Sequence, residues 1–269
     1  MSGFVMGPFL LNLLVTALAV LALMGATLGV ATAVGKQAVV DVVWGPGFAL
    51  VAVLTYLLSA DDGTQLRRLL LTVLTVVWGL RLGVHIFLRN RGRGEDPRYA
   101  ELMAKAPGNP VAFAFRKVYL TQGAVLWLVS LPVQAGQYTS GNGALSTALL
   151  VVGVLVWLVG FAFEAVGDAQ LRQFKSDAAN QGTVMDRGLW RYTRHPNYFG
   201  DACVWWGLFL VSLAHPLILC TVVGPLVMTR LLAKDTGKEL TEKHMSGRPG
   251  YADYVERTSG FIPMLPKKG

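Results

Sequence analysis

Acidic and basic side chains at helical spacing mark residues 164–207 as the part of the chain best suited to chemistry. Glu164, Asp168 and Arg172 follow one another at intervals of four residues, so in a helix they share one face. The segment around them is apolar and has the character of the end of a membrane helix. Ionisable groups beside a bilayer are rare, and they usually line a cavity or bind a ligand.

A basic and aromatic run, RYTRHPNYFGD, follows at residues 191–201. Arginine forms paired hydrogen bonds with phosphate, while carboxylates and asparagine suit hydroxyls and amides. The mixture favours a site for a phosphorylated cofactor. No GxGxxG motif follows a strand, which excludes a Rossmann site. The alternative is a positively charged loop with snorkelling arginines, which leaves Glu164, Asp168, Asn197 and Asp201 unexplained.

The composition is that of a membrane protein. The chain has 269 residues, of which 53% are hydrophobic and 15% charged, and its mean hydropathy is +0.48. Such a chain is too apolar for a soluble globule. Its net charge of +8 lies in loops, without a basic helix or RNA-binding motif, so we expect no nucleic-acid partner. Cys203 and Cys220 indicate no disulfide framework, and the histidines are too scattered for a metal site.

Recurring apolar runs of about 20 residues predict an all-α, polytopic membrane bundle of about seven transmembrane helices. We expect one domain over residues 1–269. The predicted spans cover approximately residues 8–34, 39–60, 69–90, 111–133, 144–169, 198–213 and 217–232. The first is expected to be a retained span and not a cleaved signal. In the second, Gly45-Pro46-Gly47 predicts a kink or an opened turn near a cavity.

Loop charge predicts the orientation. Arginine and lysine are concentrated between the third and fourth spans, between the fifth and sixth, and in the tail, whereas the loop at residues 135–143 has no charge. The positive-inside rule then puts the N-terminus outside and the C-terminus in the cytoplasm. Arg67 and Arg68 fall on the outer side under this scheme, and we expect Asp61 and Asp62 to offset them.

Four motifs in this order are similar to a known family. They are DVVWGPGF at Asp41–Phe48, GEDPRY at Gly94–Tyr99, RYTRHPNYFGD, and RPGYADYVERTSGFIP at Arg248–Pro263. RYTRHPNYFGD resembles the signature shared by steroid 5-alpha-reductases, sterol C14- and C24(28)-type reductases and isoprenylcysteine carboxyl methyltransferases. The whole set most resembles the bacterial membrane proteins described as steroid 5-alpha-reductase-like. This resemblance implies a protein of the bacterial inner membrane.

The resemblance also implies NADPH as cofactor, held among the cytoplasmic halves of the later spans. The implied cofactor-binding residues are Glu164, Asp168, Arg172, Lys175, Arg191, Tyr192, Arg194, Asn197 and Asp201, with Glu239, Glu242 and Tyr254 in the tail.

The substrate end departs from the family. Reduction of an activated C=C bond needs a group that polarises the substrate carbonyl. In the 5-alpha-reductases a Glu in the second span and a Tyr in the third do this; here Asp41 is the nearest acid, and Ile86 stands at the tyrosine position. Asp41 and His85 are therefore the predicted catalytic residues. GEDPRY is expected to be a loop ordered by ion pairs, which serves as a lid, as a cofactor contact or as structure alone.

The predicted function is NADPH-dependent reduction of a C=C bond in a lipid or steroid-like molecule that enters from the bilayer. The alternative is a membrane methyltransferase that uses S-adenosylmethionine on a lipid or a lipid-linked substrate, since it shares RHPNY. A scaffold or lipid-binding protein without enzymatic activity is the third hypothesis.

Overall fold

The computed structural model of the protein describes residues 3–141, 143–235 and 237–267, and in these residues helices predominate, as predicted. The α-helices are α1 (Met6–Val34), α2 (Val39–Leu58), α3 (Gln65–Asn90), α4 (Pro97–Ala104), α5 (Pro110–Ala114), α6 (Leu120–Val129), α7 (Leu131–Gly136), α8 (Ala144–Ser176), α9 (Pro196–Ser212), α10 (Val223–Arg230), α11 (Lys238–Met245) and α12 (Tyr251–Arg257). Two π-helical turns cover Phe115–Tyr119 and Leu231–Asp235, and 3-10 turns cover Ala178–Asn180, Gly188–Arg191 and Pro216–Val222. Strands β1 (Gly3–Phe4) and β2 (Thr139–Ser140) form a short antiparallel pair.

Six helical segments of the described chain are long and apolar enough to cross a membrane. They are Met6–Val34, Val39–Leu58, Gln65–Asn90, Pro110–Gly136, Ala144–Ser176 and Pro216–Lys234. The remaining predicted span, the sixth, is α9, which has 17 residues. At 1.5 Å per residue α9 is about 26 Å long, slightly less than the thickness of a bilayer core.

Local sequence sets several helix boundaries. Gly35 ends α1 in the left-handed conformation, with φ of 68°, which glycine adopts without steric cost. The Asp96 side chain accepts a hydrogen bond from a backbone N–H of the first turn of α4, and Pro97 occupies that turn. Asn109 and Pro110 do the same for α5. Both pairs follow the preference for an Asp or Asn cap followed by proline.

The chain divides into two compact units. Unit 1 comprises Met1–Leu150 and Val211–Gly224, and unit 2 comprises Val151–Leu210 and Pro225–Gly269. The motifs at residues 41–48 and 94–99 therefore belong to unit 1. The signature at residues 191–201 and the tail motif belong to unit 2.

In unit 1, glycines bring α2 and α3 close together. A methyl group at Gly45 would collide with the Gly79 backbone, and one at Gly83 would collide with Pro46. Helix α2 continues through Pro46. Where the sequence predicts an opened turn beside a cavity, the structure uses the glycines for close packing of membrane helices.

One end of unit 1 gathers three segments that the predicted topology assigns to the outer face. Gly3 and Phe4 pair with Ser140 and Thr139. The Thr64 N–H donates to the Thr139 carbonyl at 3.0 Å. The N-terminal segment, the α2–α3 turn and the segment after α7 therefore lie together, as alternating spans require.

The two arginines at this end are buried structural groups, with exposures of 2% for Arg67 and 4% for Arg68. Arg67 donates to the Val211 carbonyl at 2.9 Å, and Arg68 donates to the carbonyls of Tyr56 at 2.7 Å and Ala60 at 2.9 Å. Carbonyls at the C-terminal ends of helices favour cations, so these contacts stabilise both arginines where charge counting did not expect them.

In unit 2, α8 and α9 pack through glycines spaced seven residues apart on each helix: Gly153, Gly160 and Gly167 on α8, and Gly200 and Gly207 on α9. A methyl group at Gly160 would meet the Gly200 carbonyl, and one at Gly207 would meet the Gly153 carbonyl. The two backbones are therefore in direct contact, which brings the polar ends of both helices together.

Candidate functional site

The first polar site, which we call the Asp41 site, lies in unit 1 and consists of Asp41, Arg98, Tyr99 and Gln122. The Tyr99 hydroxyl donates to Asp41 Oδ1 at 2.6 Å, and Arg98 Nη2 donates to Asp41 Oδ2 at 3.1 Å. Gln122 Nε2 donates to the Tyr99 oxygen at 2.9 Å. Asp41 thus has a donor on each oxygen, and the phenol is fixed by partners on both sides.

The surroundings of Tyr99 keep its hydroxyl protonated. Its ring and hydroxyl are buried, with an exposure of 8%. Burial, reinforced by the charge of Asp41, raises the pKa of Tyr99 well above its ordinary value. Tyr99 is therefore a neutral hydrogen-bond donor throughout the physiological range.

The GEDPRY motif docks α4 onto the start of α2. The Glu95 carboxylate accepts hydrogen bonds from the backbone N–H groups of Gln37 and Ala38, the latter at 3.0 Å. Asp96 pairs with Arg98 at 2.9 Å, and these hydrogen bonds lower the pKa of Asp96. The expected ion pair is present between Asp96 and Arg98, and the same arginine also reaches Asp41.

His85, the other predicted catalytic residue, lies half-buried on α3 one helical turn after Arg81, which is also half-buried. It belongs to unit 1, as Asp41 does. Ile86, at the position of the missing tyrosine, lies on the same turn of α3.

The second polar site, which we call the acid–amide cluster, lies in unit 2 and consists of Glu164, Asp168, Asn197 and Asp201. Glu164, Asp168 and Asp201 are buried, with exposures of 3%, 6% and 7%. Asn197 Nδ2 donates to Asp168 Oδ1 at 3.1 Å. A methyl group at Gly200 would lie 2.9 Å from the Glu164 Cβ, so the glycine contact places α9 against this part of α8.

Most of the predicted phosphate-binding cations are exposed near this cluster along the chain. Arg172 and Lys175 lie on the last two turns of α8, and Arg191 and Tyr192 lie in the signature. The Gln170 side chain accepts a hydrogen bond from the Leu189 N–H at 3.0 Å, which fastens the signature segment to α8.

The remaining predicted cofactor residues contact other protein groups. Arg194 Nε donates to Glu242 Oε1 at 2.9 Å. The Tyr254 hydroxyl donates to the Trp190 carbonyl at 2.6 Å. Glu239 is exposed on α11.

The fold and these sites define a polytopic helical membrane protein with a polar site in each of its two units. Residues 27–258 match the model of the family described as Protein of unknown function (DUF1295), so the chain belongs to that family. A search of curated proteins and a search of solved structures found no match. The matched range includes both the Asp41 site and the acid–amide cluster.

Sequence reasoning missed Tyr99 and Gln122. Tyr99 was noticed only as the last residue of GEDPRY, and no spacing connects it with Asp41, which lies 58 positions earlier. A usable signal was present in Asp96-Pro97, because a cap followed by proline predicts a short helix that starts there.

Proposed function

We propose that the protein is an integral membrane reductase that uses NADPH to reduce a C=C bond in a lipid or steroid-like substrate. The observation that carries this proposal is the acid–amide cluster, where Asn197 is hydrogen-bonded to the buried Asp168 and two further carboxylates, Glu164 and Asp201, are buried on the same two helices. Burying a carboxylate costs free energy, which polar groups of the protein or of a ligand must offset through hydrogen bonds or opposite charge. A ligand site explains why glycine packing holds them at the junction of α8 and α9.

The side chains present fit a phosphorylated dinucleotide. Exposed guanidinium groups at Arg172 and Arg191 suit its phosphates, and Asp168 and Asn197 suit its hydroxyl and amide groups. When bound, NADPH supplies the hydride. The role proposed for the chain in unit 2 is to bind and orient that molecule.

The Asp41 site supplies what the substrate end of the reaction needs. A substrate carbonyl is activated by a protonated donor held in place before the reaction. Tyr99 is the candidate for this donor, since it is buried and neutral and is held by Asp41 and Gln122. Its single O–H donates to Asp41 in this structure, so it must turn to the carbonyl when substrate binds. We therefore include Tyr99 as the hydrogen-bond donor that polarises the substrate carbonyl and Asp41 as the group that orients it, a pair that takes the place of the tyrosine missing at Ile86.

Family membership and motif resemblance add support for this proposal. The match over residues 27–258 spans all four motifs at least in part. DVVWGPGF and GEDPRY are the motifs that provide the Asp41 site, and they resemble the reductase-like branch and not the methyltransferases. We accordingly propose a bacterial inner membrane location, with the substrate entering from the bilayer.

The methyltransferase hypothesis rests on RHPNY alone. Methyltransferases of this resemblance continue into a paired-glutamate motif, whereas this tail has Thr241 followed by Glu242. Glu242 is engaged by Arg194 at 2.9 Å. Methyltransferase activity is therefore one of the outcomes of the test described next.

The test is thermal unfolding of the detergent-solubilised protein with NADPH or with S-adenosylmethionine. At a ligand concentration one hundred times Kd, stabilisation should approach about 2.7 kcal/mol. We expect NADPH to raise the Tm of the parent and to have less effect on Asn197→Ala, which loses the hydrogen bond to Asp168. A shift with S-adenosylmethionine and none with NADPH would reject the reductase in favour of the methyltransferase.

A matched control distinguishes loss of the site from general damage. Asn90→Ala changes an asparagine at the end of α3 in unit 1, remote in sequence from the acid–amide cluster. It should respond to NADPH as the parent does. An equal response of Asn197→Ala and Asn90→Ala would show that the proposed site is misplaced.

A further inference from the structure

The C-terminal segment of unit 2 is hydrogen-bonded to the first part of the signature. The Arg194 N–H donates to the Ser259 carbonyl at 2.9 Å, and the Met264 N–H donates to the Tyr192 carbonyl at 2.9 Å. The Thr193 hydroxyl donates to the Phe261 carbonyl, also at 2.9 Å. Residues 259–264 therefore lie beside residues 192–194 as an extra strand-like segment, which we call the strap.

The Arg194 side chain holds the segment that leads directly into the strap. It is largely buried, with a side-chain exposure of 10%. Nε donates to Glu242, and Nη1 donates to the carbonyls of Thr258 and, at 3.2 Å, Val255. One guanidinium thus joins α11 to the end of α12, directly before the strap, and this is the fork geometry in which arginine differs from lysine.

His195 and Tyr198, which follow Arg194 and Asn197 in the sequence, complete the attachment. Glu242 Oε1 also lies 3.2 Å from His195 Nε2, and the His195 ring stacks on Tyr198 with centroids 5.2 Å apart. Burial raises the pKa of Glu242, but hydrogen bonds from His195 and Arg194 outweigh burial and lower it to about 2. Burial lowers the pKa of His195, so the pair consists of a carboxylate and a neutral imidazole near pH 7.

Residues on both sides of Asn197 in the sequence take part in this attachment. His195 and Tyr198 contact the tail side, where Glu242 lies, while Asn197 turns its amide to Asp168 of α8. Holding the two neighbours fixes the first turn of α9. The direction of the Asn197 side chain follows from that turn.

We propose that Arg194, Glu242 and Tyr254 are positioning residues, which hold the strap against the signature and so keep Asn197 directed at Asp168, and that Arg194 does not bind a cofactor phosphate. The positioning role rests on the proposed function, whereas the attachment of the strap does not. Tyr254 belongs to the group because its hydroxyl bonds the Trp190 carbonyl from the helix that precedes the strap.

Limited proteolysis without any cofactor tests the attachment itself. Trypsin cleavage after Arg257, followed by mass spectrometry of the shortened chain, reports release of the strap. Losing hydrogen bonds to a charged group should speed cleavage by at least about tenfold in Arg194→Ala. Arg194→Lys keeps the charge without the fork, so it should restore part of the protection. The matched control is Arg248→Ala, which changes an exposed arginine that approaches the Thr183 carbonyl at 3.5 Å.

Binding of NADPH and NADH tests the positioning role. Arg194→Ala and Glu242→Gln should weaken both nucleotides by the same factor, because they disturb Asn197 and not a phosphate contact. Arg191→Ala should weaken NADPH more than NADH while the strap stays protected. Selective loss of NADPH in Arg194→Ala, with trypsin resistance equal to the parent, would overturn the proposal and make Arg194 a phosphate ligand.

The two proposals fail separately. If the parent binds neither nucleotide, the reductase function is rejected and the positioning role is rejected with it, while proteolysis still decides whether Arg194 holds the strap. If the parent binds NADPH and Arg194→Ala is cleaved no faster than Arg248→Ala, the strap proposal is rejected and the reductase proposal stands.

Discussion

Replacing Tyr99 with phenylalanine removes one oxygen atom from the centre of the Asp41 site. That oxygen donates to Asp41 at 2.6 Å and accepts from Gln122 at 2.9 Å. A hydrogen bond to a charged group contributes about 1.5–3 kcal/mol, and a neutral one about 1 kcal/mol. Phenylalanine costs less free energy to bury than tyrosine, and this difference offsets part of the lost hydrogen-bond energy. We therefore expect Tyr99→Phe to lower the free energy of unfolding by about 2–3 kcal/mol.

A double-mutant cycle assigns this loss to the pair. Asp41→Asn keeps an oxygen that can accept from Tyr99, and Arg98 keeps its partner Asp96 at 2.9 Å. The single Asp41→Asn change should therefore cost less than Tyr99→Phe. The free-energy cost of the double variant should be smaller than the sum of the two single costs by about 1–2 kcal/mol, the usual size of coupling between residues in contact. Reversible unfolding in mixed micelles, followed by far-UV circular dichroism, measures all four proteins.

Tyr192→Phe is the matched control, because Tyr192 is 38% exposed and lies in unit 2. It should change the free energy of unfolding by less than about 0.5 kcal/mol. If Tyr99→Phe is as stable as Tyr192→Phe, or if its cost adds fully to that of Asp41→Asn, the phenol and carboxylate do not act as a pair. The role of Tyr99 as an oriented donor would then lose its physical basis.

Two further predictions concern unit 2. Gly200→Ala should destabilise the protein by about 1–3 kcal/mol in a thermal unfolding assay, through overpacking against α8. The control is Gly25→Ala, which should be neutral or stabilising because an added methyl group there meets nothing within 4 Å. Equal effects of the two changes would show that α8 and α9 are not in contact at Gly200. Because the pKa of Glu242 is lowered from 4.5 to about 2, its contribution to stability is present above pH 4.5 and is lost as the pH falls toward 2. Glu242→Gln should therefore reduce the loss of stability between pH 4.5 and pH 2, and an unchanged acid profile would contradict the attachment of Glu242 to Arg194 and His195.

Features that repeat along a single helix were predictable from the sequence. The apolar runs located all six segments of the described chain that are long and apolar enough to cross a membrane, since hydropathy over about 20 residues reports whether a segment can lie in hydrocarbon. The remaining predicted span, α9, is not among the six. The four-residue spacing of Glu164 and Asp168 also predicted one shared helical face, and both are buried on α8. These properties depend on neighbours in the chain, so local pattern contains them.

Contacts between distant segments were not predictable in the same way. Asp41 and Tyr99 are 58 positions apart, and Arg194 and Glu242 are 48 apart. Each pair forms only because distant segments of the chain pack at a particular register, which hydropathy does not encode. Gly45 gave a misleading local signal for a related reason, because a glycine permits both a helix break and a close helix contact, and only the facing Gly79 decides between them.

Different residues of RYTRHPNY make different kinds of contact, and this suggests why reductases and methyltransferases share the sequence. Arg194 and His195 are bonded to Glu242 of the tail, whereas Asn197 is bonded to Asp168 of α8. Side chains that fasten a tail are needed for any ligand held at this junction, whatever reaction follows. The signature is therefore expected to persist among proteins of different chemistry, because it maintains the shape of the site. The reaction must be inferred from groups that can donate or accept a proton at a substrate, and in this chain the Asp41 site has that character.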